Sequence, residues 1–228
     1  MGLIDSENSL LTLSSLQPIR ADSLILLQSD SIVFQVEFQT EPDAQMSFRC
    51  LDYRLRVYRR FPHKQMRQVV VYLKETQSPL VYQDAFEIAN IRYQYEVIRL
   101  WEEPAEQFLT APGLLPFAAL ASSGNRESVL RRVSRQVEEM SDRTQQSDIA
   151  ASAGILAGLV LSKETIRGIL RSDIMKESVI YQEIKQEGMQ ETTRKLALKM
   201  LENGIDASQV VAITGLTLEQ VLGLQAQN

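Results

Sequence analysis

Two carboxylates and one amide near the N-terminus are side chains of the kinds that bind a divalent cation. Asp22 and Glu37 lie in two strand-like runs, and Gln39 follows Glu37 by two positions. If the chain turns at Ser29 and Asp30, Asp22 pairs directly with Glu37, and Gln39 projects from the same face of the hairpin. Two like charges placed opposite each other repel, so a hard cation, Mg²⁺ or Mn²⁺, is expected to bind between them.

Such a cation would lower the pKa of a bound water and stabilise negative charge on phosphorus, which is the chemistry of phosphodiester hydrolysis. The cation is expected on oxygen ligands, and not on His63 or Cys50, because neither residue lies in the hairpin. The register is an assumption, since a slip of one residue would send Asp22 to the other face of the sheet. In the alternative reading Asp22 is a strand-edge residue, and Glu37 with Gln39 forms a solvated sheet face.

A basic segment follows the hairpin, in a chain whose net charge is -5. Arginines and lysines dominate residues 49–67, where the single acid is Asp52. The residues expected to contact DNA phosphates are Arg49, Arg56, Arg59 and Arg60. The alternative is a solvated helix face paired with the acidic C-terminal half. Because the whole chain is acidic, binding of a polyanion over its entire surface is excluded.

The elements that would position these residues form an α/β fold. The sequence predicts a hairpin of residues 21–27 and 32–39, a helix over residues 46–61, and strands over residues 68–74 and 91–101. Alternation in the second run predicts that its apolar side chains face the core and its polar side chains do not. The predicted core face of the helix consists of Phe48, Leu51, Leu55 and Tyr58. After residue 104 the pattern is helical, so a mixed sheet flanked by helices precedes a helical C-terminal half.

Composition indicates a globular protein of the cytoplasm. The chain has 228 residues and 44% hydrophobic content, which suffices for a well-formed core. Its one cysteine cannot form an internal disulfide, and no secretory signal pattern opens the sequence. The most apolar stretch, residues 149–161, is too short to cross a bilayer and predicts a buried helix.

The C-terminal tail predicts short helices separated at Asn203-Gly204 and at Thr214-Gly215. Residues 206–221 resemble a helix-turn-helix core, in which Gly215 makes the turn. The recognition helix, residues 217–224, has no Lys or Arg, so the tail is expected to mediate interaction or homo-oligomerisation. The predicted divisions are a core over residues 1–122, a helical extension over 123–190 and a helical tail over 191–228.

The order and spacing of several short motifs carry a family resemblance that covers roughly residues 16–185. These motifs are RADS at 20–23, VEFQT at 36–40, LDYRLRVYR at 51–59, QVVVYLK at 68–74, VIRLWE at 97–102 and DIMKESVIYQ at 173–182. Together they resemble the PD-(D/E)XK nuclease-like proteins related to the recombination-promoting nuclease and putative transposase family, abundant in cyanobacteria. The resemblance implies a restriction-endonuclease-like core, Asp22 and Glu37 as metal ligands, and cleavage of DNA in recombination or by mobile elements.

Two departures from the family pattern define the alternatives. Gln39 takes the place of a lysine, and the chain starts too late to include the helical segment that precedes the hairpin in the resembling proteins. A catalytically inactive DNA-binding or assembly protein of the same fold is therefore one alternative to a Mg²⁺-dependent endonuclease. A structural protein-interaction module is the other.

Overall fold

The structure, a computed structural model, describes residues 24–225 and places a four-stranded mixed sheet at the centre of the N-terminal part. Its strands are β1 (Leu24–Gln28), β2 (Ile32–Gln39), β3 (Gln65–Tyr72) and β6 (Glu96–Arg99), in that spatial order. β1 pairs antiparallel with β2, whereas β2, β3 and β6 run parallel. β4 (Ala85–Ile88) and β5 (Ile91–Gln94) form a separate antiparallel pair.

The hairpin register differs from the predicted one by two positions. Leu24 pairs with Glu37, so the prediction that Asp22 lies directly opposite Glu37 is wrong; Asp22 itself lies outside the described residues. The backbone N–H of Ser29 donates to the carbonyl of Ile32 at 2.8 Å, so the turn centres one residue later than expected. The hydroxyl of Ser29 accepts from the N–H of Ile32 at 3.2 Å, a bond typical of serine at the start of a turn.

Helix α1 (Met46–Arg60) connects β2 to the parallel strand β3 and covers one face of the sheet. Met46, Cys50 and Val57 are its buried residues. The predicted core face of α1 is therefore wrong, and three of its four residues are exposed. These are Phe48 (51% exposed), Leu55 (48%) and Tyr58 (56%). Both sides of this helix carry apolar residues at helical spacing, so the packing partner and not the spacing selects the buried side.

The sheet is covered on both faces. Phe34, Val36 and Phe38 pack on the opposite side from α1, where the ring of Phe38 stacks on Phe117 with centroids 5.5 Å apart. On the α1 side, Gln35 and Glu37 are each only 2% exposed. The apolar side of β2 therefore faces the core as predicted, but the polar side is buried as well, because α1 packs over it.

The predicted strand 91–101 is divided at Tyr95 between two sheets. Its first part is β5, in the small hairpin, and its second part is β6, in the main sheet. Tyr95 between them is buried, and its N–H and its hydroxyl donate to the carbonyls of Asp84 and Gln83, each at 2.9 Å. These bonds fix the point at which the chain leaves one sheet and enters the other.

The rest of the described chain is helical, which confirms the α/β fold class with a helical C-terminal half. A 3₁₀ segment, Pro112–Leu120, packs between the sheet and the helices. The helices are α2 (Ala105–Phe108), α3 (Arg126–Glu138), α4 (Arg143–Ala157), α5 (Lys163–Ile169), α6 (Ser172–Met175), α7 (Val179–Glu202), α8 (Ala207–Thr214) and α9 (Leu218–Gln225). Small residues line the buried side of α4, as predicted for the stretch that begins at residue 149.

The C-terminal end of α7 packs with α8 and α9 into a small C-terminal unit. Ala197, Val210 and Val221 are its fully buried centre. Gly215 ends α8 in the left-handed region, at φ 73°, which confirms the predicted break at that residue. Within residues 24–225, no single helix combines the length and apolarity needed to cross a bilayer, although α8 and α9 together, bent by 119°, meet that criterion.

Candidate functional site

Glu37 is an acidic side chain at the centre of the main sheet. It faces α1 from β2, a strand with a neighbour on each side, and is 2% exposed. One oxygen, Oε1, accepts a hydrogen bond from the Gln39 amide at 3.1 Å and forms an ion pair with the Arg49 guanidinium. The other oxygen, Oε2, is buried and has no hydrogen-bond partner among the residues that the structure describes. A buried carboxylate oxygen without a partner is costly, so it marks Glu37 as a candidate functional group.

Arg49 joins Glu37 to the loop that precedes α1. Its guanidinium contacts Glu37 on one side and the Asp43 carboxylate on the other, at 2.8 Å. Asp43 also accepts a hydrogen bond from the backbone N–H of Gln45 at 2.8 Å, immediately before the helix begins. A chain of polar contacts therefore runs from the loop through α1 to β2.

Burial has the largest effect on the pKa values of Glu37 and of the groups near it. Burial raises the pKa of Glu37, and the nearby Arg49 offsets only part of that effect. Burial opposes the charge of Arg49, but Glu37 and Asp43 outweigh it and raise the pKa of the guanidinium. Burial, together with the charge of Glu37, raises the pKa of the Cys50 thiol to about 12. Cys50 is thus a packed and unreactive residue at neutral pH.

Of the predicted metal and catalytic residues, the structure brings Glu37 and Gln39 together. Asp22 lies outside the described residues. Within residues 24–225, no group of three His, Cys, Asp or Glu side chains is arranged as a metal cluster. The charge next to Glu37 is instead balanced by Arg49. That pairing connects residues 12 positions apart, and the sequence analysis did not anticipate it.

The four arginines predicted to contact DNA divide into two pairs. Arg49 and Arg56 are turned towards carboxylates, with side chains 21% and 15% exposed, and Arg56 pairs with Asp52 at 2.8 Å. Arg59 and Arg60 are exposed in the last turn of α1. They therefore remain available for a phosphate backbone, whereas the first pair is occupied inside the protein.

A second polar network under α1 was also missed by sequence reasoning. The Gln68 amide donates to the Gln35 side-chain oxygen at 2.6 Å and to the Cys50 carbonyl at 2.9 Å, and Tyr93 donates to Gln68. These contacts tie β2, β3, β5 and α1 together beside Glu37. The alternation in β2 places Gln35 on the polar side of the strand. Its partner, Gln68, is 33 positions away, so no local pattern indicates their contact.

At the C-terminus, α8, the left-handed turn at Gly215 and α9, which lies at 119° to α8, define a helix-turn-helix unit. Residues 190–225 match the family model described as the Rpn/YhgA-like nuclease family, C-terminal HTH domain. The match covers the C-terminal segment of the chain and supports a relationship of this segment to that family. No curated protein and no solved structure matches the chain.

Proposed function

We propose that this chain is a DNA-associated protein that hydrolyses phosphodiester bonds of DNA, of the kind that recombination or a mobile element uses. The observation that carries the proposal is Glu37, a carboxylate 2% exposed with one buried oxygen unpartnered among the described residues. Such a group costs stability, so function is a better reason for its presence than folding. The match of residues 190–225 to a nuclease family domain supports the same class of protein.

Glu37 suits a hard divalent cation, since such ions bind through one or two carboxylates together with water and substrate phosphates. Glu37 Oε2 is the oxygen that the described residues offer, and Asp22 is the proposed second ligand. Mg²⁺ or Mn²⁺, when bound, supplies an acidified water and stabilises negative charge on the phosphate.

The amide of Gln39 has a different task in this proposal. Its nitrogen donates to Glu37 at 3.1 Å, which leaves its oxygen as an acceptor that orients a water molecule. Because an amide has no charge, Gln39 cannot offset the charge of a phosphate as a lysine would.

DNA is held through its phosphates in this proposal. Arg59 and Arg60 are exposed in the last turn of α1, roughly 15 Å along the helix axis from Arg49, which contacts Glu37 near the start of the helix. A DNA backbone bound by these two arginines would have to run along α1 to reach the site. Contacts of this kind give weak, sequence-tolerant and salt-dependent binding.

Nicking of a supercoiled plasmid tests the proposal directly. Wild-type protein with Mg²⁺ or Mn²⁺ is expected to nick the plasmid, and Glu37→Ala or Asp22→Ala is expected to abolish nicking while DNA binding persists. Gln39→Ala is expected to slow the reaction less. The matched control is Glu183→Gln, a change of an exposed carboxylate on α7. Nicking that survives loss of Glu37 would place the activity elsewhere.

A DNA-binding or assembly protein that does not cleave is the second candidate. It is favoured by the ion pair of Arg49 with Glu37, which neutralises the carboxylate without a metal. Protein that shifts DNA but never nicks it with either cation would select this function.

A protein-interaction module is the third candidate. It is favoured by α9, which carries no Lys or Arg and exposes Leu218 (52%) and Leu222 (48%). Protein that neither binds nor nicks DNA would select this reading, in which the C-terminal helices bind a partner or a second copy of the chain.

A further inference from the structure

We infer that Arg49 is a positioning residue, which supplies the positive charge that Gln39 lacks and holds Oε1 of Glu37. Oε2 then has no partner among the described residues and can serve as the ligand of the proposed cation. This inference rests on the proposed function of Glu37. It adds a residue from α1 to a site that sequence reasoning confined to the hairpin, and it gives Arg49 a role other than contact with DNA.

The donors around Glu37 converge on a single oxygen. The Arg49 guanidinium and the Gln39 amide both donate to Oε1, and neither contacts Oε2. A carboxylate held by two donors on one oxygen cannot rotate freely. The direction of Oε2 is therefore set by Arg49 and Gln39 together.

Arg49 is itself held in place by Asp43, on the side away from Glu37. Asp43 accepts from the guanidinium at 2.8 Å, and the N–H of Gln45 fixes Asp43 in turn. The planar fork of a guanidinium can span two carboxylates in this way, whereas the point charge of a lysine cannot. The side chain is 21% exposed, so its charge lies at the boundary of the site and not deep in the core.

Besides the proposed metal ion, the positive charge that the described residues bring to Glu37 comes from outside β2. Glu37 and Asp43 are negative and Gln39 is neutral, while phosphodiester hydrolysis adds negative charge in the transition state. Among the cations of residues 24–225, Arg49 is the one that forms an ion pair with Glu37. The helix thus provides the charge that the strand does not.

The test compares Arg49→Gln, Gln39→Lys and the double variant, with Mn²⁺ affinity and plasmid nicking as separate measurements. Arg49→Gln removes a positive charge beside the carboxylates, so Mn²⁺ alone is expected to bind more tightly than to wild type. Nicking is expected to fall by roughly 100-fold in kcat, the loss typical of one charge-stabilising donor. Adding Gln39→Lys to this variant is expected to restore nicking, because the introduced lysine returns a cation beside Glu37.

The matched control is Arg99→Gln. Arg99 is also 21% exposed and pairs with a carboxylate, Glu102, at 2.8 Å. Its replacement is expected to change neither Mn²⁺ affinity nor nicking.

Three results would overturn the inference. In the first, folded Arg49→Gln binds Mn²⁺ no more tightly than wild type does. In the second, that variant nicks the plasmid at the wild-type rate. In the third, the folded double variant binds Mn²⁺ but does not recover nicking. If Arg49→Gln does not fold, the double variant decides alone. If wild type never nicks, the proposed function fails and the Mn²⁺ comparison alone decides the role of Arg49.

Discussion

At the scale of single residues, Glu37 is the buried carboxylate on which the proposed function depends. Its burial disfavours the charged form, and the ion pair with Arg49 compensates only in part, so the pKa of Glu37 stays above its ordinary value. A group with a raised pKa binds its proton more tightly in the folded protein than in the unfolded chain. The free energy of unfolding therefore falls as pH rises from 4.5 through the folded pKa, and then levels off.

Glu37→Gln is expected to raise the melting temperature at neutral pH, because it removes the cost of the buried charge while keeping the shape of the side chain. The gain over wild type should shrink as pH falls through 4.5, because Glu37 then becomes protonated in the unfolded chain as well. Thermal unfolding followed by circular dichroism between pH 4.5 and 8 measures this difference.

The control for this prediction is Glu183→Gln, a change of an exposed carboxylate on α7. A variant Glu37→Gln that is less stable than wild type at every pH would show that the pair with Arg49 stabilises the fold.

At the scale of elements, α1 packs on the sheet along one side and exposes two arginines in its last turn. One side covers the sheet and holds Glu37, and the last turn presents Arg59 and Arg60 to solvent. The guanidinium of Arg60 lies 5.7 Å from the centre of the Phe61 ring, where the helix ends. The exposed end of α1 is therefore the part of this helix suited to a phosphate backbone.

The double variant Arg59→Ala/Arg60→Ala is expected to weaken DNA binding and to flatten the dependence of log affinity on log salt by about 2, which is roughly 0.9 for each lost phosphate contact. Titrations of a duplex at several salt concentrations measure this slope. Lys163→Ala/Arg167→Ala removes the same charge from α5, where both side chains are exposed, and should leave the slope unchanged. An equal effect of both pairs would indicate a general charge effect and no local site.

The turn between α8 and α9 depends on a glycine conformation. Gly215 adopts φ 73°, where a side chain is strained, so Gly215→Ala is expected to destabilise the C-terminal unit by about 1 kcal/mol. Hydrogen exchange at the amides of the buried residues Val210 and Val221 reports this loss. Gly223→Ala is the matched control, because Gly223 lies within α9 with open space around it. This replacement should stabilise the helix by up to about 1 kcal/mol.

At the scale of the whole molecule, α7 joins the sheet and its helices to the C-terminal unit. It has 24 residues, and Ala197 is its one buried residue. The middle of α7 is exposed, including Ile184 (49%) and Met189 (63%), so the helix contributes little to either core. The two parts are therefore expected to be separable in function.

A chain ended after Gly188 is expected to keep the affinity and salt dependence of DNA binding, because the proposed phosphate contacts of Arg59 and Arg60 lie outside the removed segment. Duplex titrations of the shortened and the full chain compare the two directly. A shortened chain whose salt slope falls by about 1 or more would assign at least one phosphate contact to the removed segment.

The sequence by itself determined the types of most elements and several of their ends. The strand β2, the helix α1, the small-residue helix α4 and the break at Gly215 follow from alternation, helical spacing and glycine conformation. Each of these signals lies within a few neighbouring residues, and local sterics and hydrogen bonding decide them.

The tertiary structure alone decided which sides of these elements are buried and which side chains meet. Glu37 faces the core because α1 packs over the polar side of β2, and that packing also turns Arg49 inward to Glu37 and Asp43. The hairpin register and the division of residues 91–101 depend likewise on hydrogen-bond partners elsewhere in the fold. Spacing along the chain cannot reveal such choices. When both faces of an element carry apolar residues, the element that packs against it decides which face is buried.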